Sequence, residues 1–119
     1  MQILNIEIEE NSDYTFSVMY SDETTNLPID ITGYSALLQV RMSFGSDSIL
    51  LELSSVNGRI ALNGASGFID VTFLPQDTNR YNQGSGWTSG AYDLILTDTG
   101  NKKKKLLKGF VTVARSSTI

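Results

Sequence analysis

Few residues in this chain are equipped for chemistry, and those few do not combine. The sequence contains no histidine and no cysteine. That removes the commonest general base near neutral pH, the commonest transition-metal ligand and any thiolate nucleophile. Gly84-Ser85-Gly86, with Gly90 nearby, resembles a phosphate loop only in composition. It lacks the lysine and the strand-loop-helix setting such a loop needs, and Ser85 is not spaced as a nucleophile elbow. The acids Glu7, Glu9 and Glu10, or Asp22 and Glu23, are the only clusters that would suit a hard cation. Calcium needs about six to eight oxygens on a loop of alternating acids, and neither cluster has that pattern. Alternate-residue Glu7 and Glu9 suit the wet outer face of a terminal strand instead. The sequence thus predicts no catalytic residue, no cofactor and no metal site.

Two features remain that suit binding rather than catalysis. Lys102-Lys103-Lys104-Lys105, with Lys108, is the one charge block. It reads either as a solvated hairpin tip protecting a strand edge or as a patch for an acidic protein partner. Trp87 is the only tryptophan, set in a glycine-rich stretch between Tyr81 and Tyr92. It is either a plug closing one end of the core or a hot spot, with Tyr81 and Asn82 beside it for a glycan.

The elements that must position these residues are strands. Tyr34, Ala36, Leu38, Val40 and Met42 alternate with Ser35, Gln39, Arg41 and Ser43, and Leu37 alone breaks the polar phase. This is the period of a half-buried antiparallel strand launched from the turn Asp30-Ile31-Thr32-Gly33. Similar alternation covers 3–9, 14–20, 49–53, 60–62, 69–73, 91–97 and 104–114. Asn57-Gly58 reads as a two-residue hairpin turn, and Pro75 as the opening of a single helical turn. About eight short strands with regular turn signals predict an all-β antiparallel sandwich over residues 1–119 as one domain. Its predicted core is Phe16, Val18, Leu38, Val40, Leu51, Leu62, Val71, Phe73, Leu94 and Leu96.

Composition narrows the partners. At 119 residues and 40 % hydrophobic, the chain suits one ordinary core. Net charge is −4, divided as −7 over residues 1–60 and +3 over residues 61–119. Overall acidity argues against a nucleic-acid partner. No apolar run reaches the roughly 18 residues of a membrane span, and Glu7, Glu9 and Glu10 interrupt any secretory signal.

The order of strands and turns carries a resemblance. Tyr14-Thr15-Phe16-Ser17-Val18 precedes a polar loop and Ile29-Asp30-Ile31-Thr32-Gly33-Tyr34-Ser35-Ala36-Leu37-Leu38-Gln39-Val40-Arg41. Ile49 to Leu53, Asn57-Gly58-Arg59-Ile60, Gly67-Phe68-Ile69, Gly90-Ala91-Tyr92-Asp93-Leu94 and Gly109 to Val113 follow. This resembles the small all-β virion proteins of tailed bacteriophages and prophages. It is loosely similar to the N-terminal domain of phage upper baseplate proteins. The resemblance implies an immunoglobulin-like sandwich, made in the host cytoplasm and carried in the virion. It implies a head-decoration, neck or tail role in many copies, acting on other virion proteins. The alternative is a receptor- or glycan-binding module using the Trp87 loop. Interface residues are expected on the N-terminal strand (Ile3, Asn5, Glu7), the long loop (Tyr81, Trp87), the lysines (Lys102, Lys103, Lys104, Lys105) and the C-terminal segment (Ser117, Ile119).

Overall fold

A computed structural model describes residues 2–78 and 87–114. Nine strands appear among them: β1 (Gln2–Ile3), β2 (Ile6–Glu9), β3 (Tyr14–Met19), β4 (Ser35–Arg41), β5 (Ile49–Ser54), β6 (Ile60–Asn63), β7 (Phe68–Phe73), β8 (Ser89–Thr97) and β9 (Lys103–Ala114). Pro75–Thr78 forms the single helical turn α1, and Gly64–Ser66 a 3₁₀ turn. The chain is all-β, with two sheets. The larger runs β1-β9-β8-β4-β5, with β2 following β1 along β9; the smaller runs β3-β7-β6.

The larger sheet is not purely antiparallel, which corrects one expectation. β1 and β2 both run parallel to β9, with Gln2 opposite Leu107 and Ile6 opposite Val111. No tight turn joins these strands, because they come from opposite ends of the chain, so hairpin geometry does not set their direction. The predicted strand 3–9 is also broken at Leu4 and Asn5. There the Leu4 N–H still donates to the Lys108 carbonyl at 2.9 Å. The Asn5 side-chain carbonyl then accepts from the Phe110 N–H at 3.1 Å, keeping a donor satisfied across the break.

The core lies between the sheets. Ile6, Ile8, Leu38, Val40, Leu53, Leu94, Leu107 and Val111 of the larger sheet meet Ile60, Ile69, Val71 and Phe73 of the smaller. Of the ten predicted core positions, Leu38, Val40, Val71, Phe73, Leu94 and Leu96 are buried. Phe16, Val18, Leu51 and Leu62 are partly buried and packed against that cluster. Met42, expected to share the face of Val40, lies beyond the end of β4 and is 71 % exposed.

Asn57-Gly58 is not a hairpin. β5 pairs with β4, whereas β6 pairs with β7, so residues 55–59 carry the chain from one sheet to the other. Only Gly58 has positive φ, at 82°. Asn57 organises the crossing: its side-chain oxygen accepts from the Ser54 and Arg59 N–H groups at 3.0 and 3.1 Å. Its amide nitrogen donates to the Glu52 carbonyl at 3.1 Å. By contrast, the turn before β4 forms as expected. Asp30 Oδ1 accepts from the Thr32 N–H at 2.9 Å and hydroxyl at 2.6 Å, and these bonds hold the carboxyl below its usual range.

Candidate functional site

The outer face of the larger sheet is where surface side chains converge. Register sets Leu37 beside Ile95, and Ile95 beside Lys105. The next row runs Glu52, Gln39, Asp93, Lys108 and Ile3, and the one after it Ile49, Arg41, Ala91 and Phe110. Between Leu94 and Ile95 the pairing with β9 skips Leu106. That extra residue is a bulge, and it lets Leu107 point inward while Lys105 and Lys108 both face outward.

Polar groups on this face are already engaged with one another. The Gln39 amide donates to the Glu52 carboxylate at 2.8 Å, and Arg41 donates to the Gln39 carbonyl at 2.8 Å. The other Arg41 nitrogen reaches the Ser46 carbonyl at 2.5 Å and holds the β4–β5 loop down on the sheet. Lys105 lies 3.9 Å from Asp93. Phe44, on that loop, meets Phe110 edge-on at 5.5 Å, and the Lys108 ammonium stands 5.8 Å from the Phe44 ring. Under the loop is a cleft of about 320 Å³ lined by Leu37, Gln39, Arg41, Phe44, Asp93 and Ile95, among others. The apolar rim is open to solvent: Phe44 is 48 % and Phe110 56 % exposed. Ile49, paired with Arg41, is exposed beside it.

The expected interface residues fall into separate groups. Ile3, Asn5 and Glu7 are all exposed on the edge strand beside β9, although the Asn5 side chain is used in the break just described. Lys102, Lys103, Lys104 and Lys105 are exposed as well. The turn itself is Asp98–Lys102, in which Asp98 Oδ1 accepts from the Gly100 and Lys102 N–H groups at 2.8 and 2.9 Å. Lys103 to Lys105 are therefore strand residues, paired with Thr97, Leu96 and Ile95, rather than members of a free tip.

Trp87 is buried in the core cluster, as a plug at that end of the core would be. It sits near the far end of β9, where the Val113 N–H donates to the Thr88 carbonyl at 2.7 Å. Lys103 is ten positions before Val113 on the same strand, roughly 33 Å away, so the two features serve opposite ends. Tyr81, Ser117 and Ile119 lie outside the described residues.

Sequence reasoning missed the Phe44–Phe110 contact and the cleft. The signal was present in pieces: Leu37, Ile95 and Phe110 each stand in the polar phase of their strands. Only the register shows that these breaks lie on one face. Among the described residues, no three acids gather as they would around a metal ion. No protein-family model matches the chain, and no curated protein matches it.

Proposed function

We propose that this chain is a non-catalytic structural or accessory subunit of a tailed-bacteriophage particle, a head-decoration, neck or tail/baseplate component. In this reading it is an immunoglobulin-like sandwich that works through protein contacts. One observation carries the reading: the apolar patch on the outer face of the larger sheet. A solvated sheet face is ordinarily polar, yet here half-buried Leu37 and Ile95 and exposed Phe110 face outward, with Phe44 and Ile49 beside them. Such a patch, rimmed by polar groups, marks a protein-interaction surface. Glu52, Gln39 and Arg41 already satisfy one another, so a partner needs mainly apolar surface of matching shape. A neighbouring particle subunit is the occupant that fits, and the order of strands and turns supports the phage setting. The glycan-binding alternative needs an accessible Trp87, a residue only 8 % exposed here.

The test is to probe purified particles of the phage or prophage that encodes the chain. Immunodetection should find it in stoichiometric amounts, and added protein should sediment with particles assembled without it. Phe44→Ser combined with Phe110→Ser should abolish sedimentation while leaving the circular-dichroism melt nearly unchanged, since both rings are surface groups. Particles that lack the chain altogether would overturn the reading. So would a glycan array bound with the specificity expected of a receptor module.

A further inference from the structure

The edge of the larger sheet is only partly occupied. β1 reaches β9 at Leu107, so among the described residues Lys103 to Lys105 pair with β8 on one side, Leu106 is the bulge, and none of the four has a strand on the other side. Across from this open stretch lies β3, the edge of the smaller sheet. Between the two edges run three adjoining depressions of about 190, 190 and 510 Å³. Tyr20 and Lys104 are shared by the first and second, and Val18 and Met19 by the second and third. They form one groove, crossed by the Lys104 ammonium 5.4 Å from the Tyr20 ring. Ile3, 71 % exposed, and Met19, 41 % exposed, are among the residues that line it.

We propose that this groove takes up an extended acidic–apolar segment of a partner subunit, added as a strand on the open edge of β9. Three features select that occupant. An unpaired strand edge offers backbone donors and acceptors that only another extended backbone satisfies along its length. Val18, Met19, Leu106 and Leu107 give the groove an apolar stretch, with Ser17, Ser21 and Lys104 beside it. On the solvent side Lys103 and Lys105 face outward, with Lys102 at the turn, and of the four lysines Lys105 alone has a carboxylate within 4 Å among the described residues. Glu23 and Asp98 also line the groove, and Asp98 is occupied within its turn. A strand with apolar residues on one face and acids on the other matches both sides, because successive side chains alternate. Four open positions on β9, at about 3.3 Å each, set the length of the added strand.

The proposal rests on the subunit reading above but tests a different surface. The probe is a capped heptapeptide alternating glutamate and valine, compared with a lysine–valine counterpart and with a glutamate–valine peptide N-methylated at every second residue. Titration should show the acidic peptide binding at least tenfold tighter than either control. Amide exchange should slow at Lys103 to Leu106, and binding should weaken as salt rises. Lys103→Glu with Lys105→Glu should reduce affinity at least tenfold without altering the melt. Equal binding of the N-methylated or the basic peptide overturns strand addition or its charge preference. Dimerisation of the chain through the groove, blocking the peptide, overturns the partner assignment in favour of a second copy. A groove that binds peptide in a chain absent from particles sinks the particle role alone; a chain found in particles whose groove ignores the peptide sinks this proposal alone.

Discussion

Tyr92 shows how much one side chain fixes here. Its ring is buried in the core, and its hydroxyl donates to the Leu4 carbonyl at 2.7 Å, tying the N-terminal break to β8. The approach is possible because residue 109 is glycine: a Cβ there would lie 2.1 Å from the Leu4 oxygen. Burial, with the nearby Tyr14 phenol, pushes the Tyr92 hydroxyl from its ordinary 10.0 up to about 12. The folded state therefore holds this proton more tightly than the unfolded chain. The associated stability is complete below pH 10 and is lost as pH rises through about 12. Tyr92→Phe should cost about 1 kcal/mol at neutral pH through the lost hydrogen bond. It should also flatten the alkaline fall in stability, and denaturant titrations at pH 7 and pH 11 would show both. An alkaline slope unchanged in the variant would assign that slope to other groups.

At the scale of elements, the crossing between β5 and β6 and the helical turn α1 form one unit. Asp77, third in α1, reaches back to accept from the Leu74 N–H at 2.7 Å, half of a capping box, and pairs with Arg59 of the crossing. Asp77 is buried, so Asp77→Ala leaves the arginine without its partner and should destabilise by about 3 kcal/mol. Gly58→Val tests the crossing itself. There is open space around a Cβ at that position, so the expected loss of about 1–2 kcal/mol comes from the positive φ alone. Thermal melts of both variants would check these values, and a Gly58→Val melt equal to wild type would mean that the crossing relaxes freely. The dipeptide Asn57-Gly58 signalled a turn correctly, because positive φ is a local property. It could not signal a change of sheet, because that depends on which strands β5 and β6 find as partners.

For the whole molecule, the uneven charge along the chain does not survive folding as two separate regions. The acidic β2 and the basic β9 are neighbours in the same sheet, with Glu7 opposite Thr112 and Glu9 opposite Ala114. Core residues of both sheets form one cluster that includes Trp87. Unfolding should accordingly be a single transition, with tryptophan emission and far-ultraviolet circular dichroism giving coincident midpoints. Separated midpoints would show the sheets to be independent. The sequence alone determined the strands, most of the turns and the inward phase, because alternation and turn chemistry act over a few residues at a time. It also determined that no histidine or cysteine chemistry is available. Only the tertiary structure decided that β1 and β2 lie parallel to β9, that Asn57-Gly58 crosses between sheets, and that Trp87 is buried. It alone placed Leu37, Ile95, Phe44 and Phe110 on one face and, among the described residues, left the edge at Lys103 to Leu106 without a strand. Each of these depends on pairing between residues far apart in the chain, and local pattern carries no information about which distant strand supplies the other half of a sheet.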